Sequence, residues 1–277
     1  MSNDPDNQTR PQPAPWLFAH RGTSTLAPEN TAAAFDIARS ARADVLEIDV
    51  RISHDQNVIV THDASVVRTT NGSGLVADQS INELKALDAG YRYATPENDT
   101  PWRGQGVTLL TLAELFQSFP DIGVNIDIKD AQPQAAEVVA RELRRIADGR
   151  WLNVGSFHQK SIDTFRRCAP EISTAASQWD VAALYFGRWF PAGIRRSMIE
   201  KSGGQVLQIP QRWSGLSLDS ANFIRFVQQQ HRLVMYWTIN DPEDMRSLLA
   251  RRANGIVSDN VLIAREVIDH FVEQDSK

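Results

Sequence analysis

The sequence feature most informative about the fold is Val45-Leu46-Glu47-Ile48-Asp49-Val50. Successive side chains of a β-strand point to opposite faces, so Glu47 and Asp49 share one face and the apolar residues share the other. Carboxylates that face a protein interior are costly unless they meet something cationic. The segment therefore predicts a strand whose acidic face lines a functional interior.

Similar β-rich runs recur along the chain and alternate with helical patterns, which is typical of β/α units around a parallel sheet. The predicted strands are 16–19, 45–50, 122–128, 152–156, 172–176, 206–209, 233–238 and 255–258. The predicted helices are 31–41, 135–147, 161–168, 221–230, 242–251 and 262–273. Eight such strands in one chain of this length predict an α/β fold, a single (β/α)₈ TIM barrel over residues 16–277.

One β-rich run, 58–61, follows the second strand with no room for a crossover helix, which parallel neighbours require. The turn residues 54–57 lie between the two runs, so we expect an antiparallel hairpin. This hairpin would return His62 to the level of Glu47 and Asp49. The long connection 66–107, with a short helix near 81–86, is then a rim insertion, either a lid or a packed surface loop.

Composition limits the possible classes of protein. A net charge of -5 has the wrong sign for a nucleic-acid coat. The one cysteine, Cys168, excludes an internal disulfide and predicts a buried thiol in a reducing compartment. Residues 1–15 contain no apolar run and predict a disordered tail, and no stretch is long and apolar enough to cross a membrane. We therefore expect a soluble, cytoplasmic protein.

Acidic residues converge on the predicted rim of the barrel. In Asn125-Ile126-Asp127-Ile128-Lys129 the two-residue spacing places Asp127 and Lys129 on one face. Glu47, Asp49 and Asp127 then form an all-oxygen cluster that suits Mg²⁺ or Ca²⁺. The alternative is that these carboxylates form structural ion pairs with Arg21, Lys129 or Arg51.

Two histidines belong to the same rim. His20 closes the first strand and His62 closes the hairpin, and only imidazole titrates near neutral pH without perturbation. The pair therefore fits a general acid and a general base. Three carboxylates with Arg21 and Lys129 give a site charge of about -1, which one divalent cation changes to about +1, matched to a phosphodiester.

Several spaced motifs carry a resemblance to a known family. They are Ala19-His20-Arg21-Gly22, Ala27-Pro28-Glu29-Asn30-Thr31, Glu47-Ile48-Asp49-Val50, Thr61-His62-Asp63, Trp237-Thr238-Ile239-Asn240-Asp241-Pro242 and Gly255-Ile256-Val257-Ser258-Asp259. The set closely resembles the glycerophosphodiester phosphodiesterase family. The resemblance implies a metal-dependent barrel that cleaves glycerophosphodiesters to glycerol 3-phosphate and an alcohol.

The resemblance also implies roles for individual residues. It assigns Glu47, Asp49 and Asp127 as metal ligands, His20 and His62 as the acid–base pair, and Arg21 and Lys129 as phosphate contacts. The commonest family residue at the third ligand position is Glu, so Asp127 is one methylene shorter. Trp237 ends a strand and faces either the substrate or the barrel core. Asn30 is expected to cap the following helix, and Glu29 to support the metal from behind its ligands.

We hypothesise that His20 removes a proton from the attacking oxygen and His62 protonates the leaving alkoxide. The attacker is either water or the hydroxyl next to the ester. One alternative is a lysophospholipase D, in which aromatic residues form an apolar wall for an acyl chain. These residues are Tyr91, Tyr93, Trp102, Tyr185, Phe186, Trp189 and Phe190. A last alternative is a non-catalytic barrel that binds phosphodiesters.

Overall fold

The strands of the protein are given by a computed structural model that describes residues 15–275. In chain order they are β1 (Trp16–His20), β2 (Val45–Ile52), β3 (Val58–Val60), β4 (Leu110–Thr111), β5 (Gly123–Ile128), β6 (Leu152–Gly155), β7 (Ser173–Thr174), β8 (Val206–Ile209), β9 (Arg212–Trp213), β10 (Leu216–Ser217), β11 (Leu233–Tyr236) and β12 (Gly255–Ser258). All eight strands predicted for the barrel are present, and their ends lie within two residues of the prediction.

These eight strands run parallel in the order β7-β6-β5-β2-β1-β12-β11-β8. A bridge between Ala175 and Val206 joins β7 to β8, and the amide of Ala176 donates to the carbonyl of Val206 at 2.8 Å. The sheet therefore nearly closes on itself. The prediction of a TIM barrel is confirmed.

Ten α-helices lie between residues 15 and 275. They are α1 (Ala32–Ser40), α2 (Ile81–Lys85), α3 (Leu112–Ser118), α4 (Pro133–Ile146), α5 (Gln159–Cys168), α6 (Gln178–Gly187), α7 (Ala192–Lys201), α8 (Ala221–Gln228), α9 (Pro242–Ala250) and α10 (Val261–Asp275). The predicted helices are all present, whereas α3, α6 and α7 were missed. The capping box of Thr111 and Glu114 was a sequence signal for α3. None of these helices is long and apolar enough to span a bilayer.

The predicted hairpin is confirmed. Strand β3 pairs antiparallel with β2, and Val60 lies opposite Val50. The amide of Thr61 donates to the carbonyl of Asp49 at 2.9 Å. Arg51 Nε donates to the carbonyl of His62 at 2.7 Å, so the returning arm is fixed beside the end of β2.

The inside of the barrel changes in character along its axis. Its amino-terminal end is filled by an apolar cluster of Trp16, Phe18, Val45, Trp151, Val206, Met235 and Val257. Amides follow: Asn153 Nδ2 donates to Asn125 Oδ1 at 2.8 Å, and Gln208 Nε2 donates to the same oxygen at 2.5 Å. The charged residues of β2 and β5 lie beyond this layer, at the carboxyl ends of the strands. The apolar face of β2, with Leu46, Ile48 and Val50, packs into the core between the sheet and the helices.

The connection 66–107 has a small apolar core of its own. Its members include Val66, Val76, Leu84 and Ala89, which pack with Ile59 of β3. Tyr93 Oη donates to the carbonyl of Thr25, which follows β1, at 2.9 Å. The connection therefore lies against the hairpin and reaches the carboxyl-terminal rim. The predicted tail 1–15 lies outside the described residues except for its last residue.

Candidate active site

A cavity of about 400 Å³ opens at the carboxyl ends of the barrel strands. The ionisable side chains that line it are His20, Arg21, Glu47, His62, Asp127 and Lys129, and Trp237 lies on the other side. These are all of the predicted site residues except Asp49. The parallel sheet explains the convergence, because β1, β2 and β5 are neighbours and end at the same edge.

His20 is held by a carboxylate from the last strand. Its Nδ1 lies 2.6 Å from Asp259 Oδ1, and Asp259 also accepts from Ser24 Oγ at 2.8 Å and Asn240 Nδ2 at 2.7 Å. Burial opposes the ionised form of Asp259, but the bonds from His20 and Asn240 lower its pKa to about 2. An ionised carboxylate only accepts, so Nδ1 donates and Nε2 is the nitrogen directed to a ligand. Burial acts to lower the pKa of His20, but Asp259 and Glu47 raise it above 6.5.

Asp259 was not predicted as a site residue. It follows β12, which pairs with β1 because the barrel closes the last strand against the first. A carboxylate at the end of a barrel strand was the available sequence signal.

His62, at the end of the hairpin, has the same arrangement. Its Nδ1 lies 2.7 Å from Oδ1 of Asp63, the next residue in the chain. Arg68 Nε donates to Asp63 Oδ2 at 2.5 Å, and mainly for this reason the pKa of Asp63 falls to about 2. Each imidazole of the pair is therefore oriented by an ionised aspartate.

Arg68 also connects the two sides of the charged site. Its Nη1 and Nη2 donate to the two oxygens of Glu29, both at 2.7 Å. Glu29 Oε1 also accepts from Arg21 Nη1 at 3.0 Å. A continuous chain of charged contacts therefore runs from His62 through Asp63, Arg68 and Glu29 to Arg21.

Asp49 is occupied by cations on both of its oxygens. Oδ1 lies 2.9 Å from Lys129 Nζ, and Oδ2 lies 3.0 Å from Arg21 Nε. Burial acts to raise the pKa of Asp49, but Lys129 and Arg21 hold it below its ordinary value. Asp49 is 1% exposed and is not part of the cavity wall. Asp49 therefore forms the structural ion pairs that were the alternative to metal binding. These pairs hold Arg21 and Lys129, the two predicted phosphate contacts, in place.

The predicted role of Asn30 as a helix cap was wrong. The residue before α1 is Thr31, whose side chain accepts from the amide of Ala34. Asn30 adopts a left-handed backbone with φ 58°, which asparagine tolerates, and is buried. Its Nδ2 donates to Asp49 Oδ2 at 3.0 Å. The left-handed turn therefore makes Asn30 a support for the acidic strand.

Glu47 and Asp127 are the carboxylates that face the cavity. Burial and then the charge of Asp49 raise the pKa of Glu47 to about 7, and burial raises the pKa of Asp127. Asp127 Oδ2 accepts from Lys129 Nζ at 2.7 Å, whereas Oδ1 is buried without a hydrogen-bond partner among residues 15–275. The acidic cluster is therefore only partly compensated by protein groups.

These donors fit a divalent cation in their chemistry. They are hard oxygens, and two of them, Asp127 Oδ1 and Asp49 Oδ1 (which has only its ion pair with Lys129), are buried without a hydrogen-bond partner among residues 15–275, as expected for ligands of Mg²⁺ or Ca²⁺. In the described part of the chain, however, no three His, Cys, Asp or Glu side chains are gathered closely enough to hold an ion as they stand. The two oxygens of Asp49 contact Arg21 and Lys129. Glu47 and Asp127 are the two predicted ligands that reach the cavity.

The opposite wall of the cavity is apolar or neutral. Phe157 and Trp237 meet edge to face with their ring centroids 5.8 Å apart, and Trp213, Val181 and Leu218 continue the wall. None of the seven aromatic residues predicted for an acyl-chain wall lines this cavity. Those residues lie on the connection 66–107 or on α6 and the turn after it, whereas the wall comes from strand ends, from the first turn of α6 and from the β9–β10 hairpin.

A TIM barrel with two aspartate-oriented histidines, two cationic side chains and a partly compensated acidic cluster at its rim defines a class, the phosphodiester-cleaving barrels. The profile of the glycerophosphoryl diester phosphodiesterase family matches residues 20–263. The chain therefore belongs to that family, and it is an enzyme, a phosphoric diester hydrolase.

Individual relatives agree with this family over nearly their whole length. YhdW of Bacillus subtilis (strain 168) is 32% identical over 250 residues, which cover 88% of this chain and 94% of YhdW. Lysophospholipase D GDPD3 of Mus musculus is 24% identical over 283 residues, 93% of this chain and 83% of GDPD3. Among solved structures, an Oleispira antarctica phosphodiesterase in complex with the product sn-glycerol-3-phosphate is 25% identical, with a TM-score of 0.72, over 92% of this chain and 97% of that chain.

Proposed function

We propose that the protein hydrolyses glycerophosphodiesters to glycerol 3-phosphate and an alcohol by acid–base catalysis with His20 and His62, in the presence of a divalent cation. The observation that carries this proposal is the pair of imidazoles in one cavity, each with Nδ1 bound to an aspartate. Its substrate class is supported by the family and by the Oleispira antarctica relative, whose complex contains sn-glycerol-3-phosphate.

In this mechanism Arg21 and Lys129 bind the phosphate oxygens. Both cations are positioned by Asp49, and each lines the cavity. His20 accepts the proton of the attacking oxygen on Nε2, and Asp259 stabilises the imidazolium that forms. His62, oriented by Asp63, donates a proton to the alkoxide of the leaving alcohol. Phosphorus NMR during turnover distinguishes the two attackers, since attack by the neighbouring hydroxyl produces a cyclic phosphate first.

Glu47 and Asp127, with Asp49 behind them, would hold the cation. Bound there, Mg²⁺ or Ca²⁺ would offset the negative charge of the carboxylates and polarise the phosphoryl oxygen. The partly compensated carboxylates support this part of the proposal.

Removal of the cation tests this part directly. Protein treated with EDTA and then dialysed is expected to lose nearly all hydrolysis of bis(p-nitrophenyl) phosphate, because the site would keep a net negative charge. Addition of Mg²⁺ or Ca²⁺ is expected to restore the rate. Addition of buffer without a divalent cation is the control. Undiminished hydrolysis after EDTA treatment would show that the reaction needs no cation.

A lysophospholipase D activity is the second candidate, and the apolar wall of the cavity favours it. Phe157, Trp213 and Trp237 offer an apolar surface that an unacylated glycerol group does not need. The relative GDPD3 is named for this activity. Comparison of kcat/KM for glycerophosphocholine and for its acylated counterpart tests it, and equal values would leave the apolar wall without a role in substrate choice.

Cytoplasmic location is the remaining part of the proposal. Cys168, the one cysteine, is partly exposed rather than buried as predicted, so it is accessible to oxidants. A thiol of this kind suits a reducing compartment. Fractionation of the source cells with an antibody to the protein tests the location.

A further inference from the structure

Helix α6 is apolar on two faces although it lies at the surface. One face carries Val181, Leu184 and Tyr185, which are buried in the core. The other face carries Trp179, which is 74% exposed, and Phe186, which is 44% exposed, two helical turns further on. A helix that is apolar all round is normally buried, so the exposed outer face of α6 indicates an interaction surface.

The turn from α6 to α7 continues this outer face. Trp189 is 63% exposed, Phe190 45% and Ile194 52%. Helix α7 has no fully buried residue, and although Ile199 packs against the core, Ile194 remains exposed. We call Trp179, Phe186, Trp189, Phe190 and Ile194 together the α6–α7 face.

Cationic side chains are interspersed along the chain with the residues of the α6–α7 face. Between residues 177 and 203, Arg188, Arg195, Arg196 and Lys201 outnumber the acidic Asp180 and Glu200, in a chain with a net charge of -5. Both acids have partners: Asp180 binds Arg166 at 2.8 Å, and Glu200 binds Arg196 at 2.7 Å. Arg188, Arg195 and Lys201 have no acidic partner among residues 15–275. The face is therefore locally positive on a negative protein.

Arg188 also fixes the orientation of the face. Its guanidinium carbon lies 4.1 Å from the ring centroids of both Tyr185 and Trp189. Tyr185 is buried, so the arginine links the exposed Trp189 to the core. The position of Trp189 at the surface is thus fixed by its contact with Arg188.

The α6–α7 face begins at the mouth of the active-site cavity. Gln178 and Val181 of α6 line the cavity, and Trp179 lies between them in the chain. Trp213 of the β9–β10 hairpin lines the same mouth and is 37% exposed. An occupant of the face would therefore lie beside the entrance.

We propose that the α6–α7 face docks the enzyme on the surface of an anionic phospholipid bilayer. Tryptophan and phenylalanine partition into the boundary between headgroups and acyl chains, and neighbouring arginine and lysine bind anionic headgroups. A second copy of the chain is a poorer occupant, because a two-fold contact pairs the face with itself and would bring two net-positive patches together. Docking brings the cavity mouth to the lipid surface, and no membrane-spanning helix is needed.

Sedimentation of the full-length protein with large vesicles tests the proposal. Vesicles of equimolar phosphatidylglycerol and phosphatidylcholine are expected to bind the protein at low salt, and pure phosphatidylcholine to bind it much less. The double variant Trp189→Ser/Phe190→Ser is expected to lower the partition coefficient roughly tenfold or more. Leu75→Ser/Leu262→Ser is the matched control, since it removes two apolar side chains with exposures of 46% and 54% elsewhere.

The charges are tested separately. Arg195→Gln/Lys201→Gln leaves the apolar residues in place and is expected to weaken binding to anionic vesicles about 25-fold, since each cation near such a surface contributes about fivefold. Lys160→Gln/Arg225→Gln, which removes two exposed cations from α5 and α8, is the control. All four variants are expected to keep their melting temperature and their rate on bis(p-nitrophenyl) phosphate.

Two results would overturn the proposal. One is the absence of binding to anionic vesicles by the unaltered protein at low salt. The other is a concentration-dependent dimer in sedimentation velocity that Trp189→Ser/Phe190→Ser converts to a monomer, because the face would then be covered by a second copy.

Discussion

The two walls of the active-site cavity differ completely in charge. The six ionisable residues of the wall all come from residues 20–129, at the ends of β1, β2 and β5 and in the hairpin. The sixteen lining residues between 155 and 257 include no charged side chain. Because consecutive strands lie side by side in the barrel, the two halves of the chain form the two halves of the site.

This difference separates reaction chemistry from recognition of the organic groups of the substrate. The charged wall has the groups that bind phosphate and move protons, and the apolar wall has only surface for contact. Changes in the first half of the chain should therefore reduce kcat for every diester. Changes in the second half should alter KM for some diesters and leave kcat nearly unchanged.

The largest effect is expected from His20→Ala. Loss of the proposed general base should reduce kcat by about 10²- to 10⁴-fold for both small and acylated diesters. Steady-state kinetics on both substrates measure it, with the melting temperature as a check on folding. His54→Ala, at the exposed tip of the hairpin, is the matched control and should keep its rate. A variant with normal kcat would contradict the assignment of His20.

A smaller effect, with a distinctive pH dependence, is expected from Asp259→Asn. Asp259 raises the pKa of His20, and His20 must be neutral to accept a proton. The variant should therefore shift the acidic limb of the kcat/KM profile to lower pH, and kcat should fall about 10- to 100-fold because the imidazole loses its orientation. An unshifted limb would show that Asp259 is structural only. Asp269→Asn on α10 is the control.

Arg68→Gln should show how much the orientation of His62 contributes to the rate, since the variant leaves the charged residues that line the cavity in place. Arg68 contacts the aspartate of His62 and the glutamate of Arg21 but does not line the cavity. We expect kcat to fall about tenfold, and Arg68→Lys to recover part of it, since both cations bind carboxylates. Arg39→Gln on α1 is the control. A rise in KM with an unchanged kcat would argue against a role of Arg68 in positioning His62.

The same variant has a consequence for stability in acid. The pKa of Asp63 is lowered to about 2 in the folded protein, mainly by Arg68. A lowered pKa stabilises the fold above the ordinary pKa of 3.8, and the stabilisation is lost as the pH falls from about 4 to 2. Arg68→Gln should therefore flatten this part of the pH profile of unfolding free energy, measured with urea.

The smallest effect is expected on the apolar wall. Trp213→Ala removes an exposed aromatic surface at the cavity mouth, which should raise KM for an acylated diester a few-fold and leave kcat for glycerophosphocholine unchanged. Trp102→Ala, outside the cavity, is the control. A fall in kcat for both substrates would show that the two walls do not act separately.

Much of the charged wall was predictable because its signals are local. The two-residue spacing in β2 and β5 predicted the shared face, and the turn at 54–57 predicted that His62 returns to it. The apolar wall was not predictable in the same way. Aromatic residues such as Tyr185 and Phe186 have the same composition signal as Phe157 and Trp237, and only packing distinguishes core, surface and cavity.

The sequence by itself determined the barrel, the hairpin and the candidate acid–base pair, because strand periodicity and turn residues act between neighbours along the chain. Only the tertiary structure decided that Asp259 orients His20, that Asn30 and the cations enclose Asp49, and that Trp213 lies at the entrance. These contacts depend on the order of strands around the barrel and on its closure. Closure joins residues more than 200 positions apart, and no local pattern encodes it.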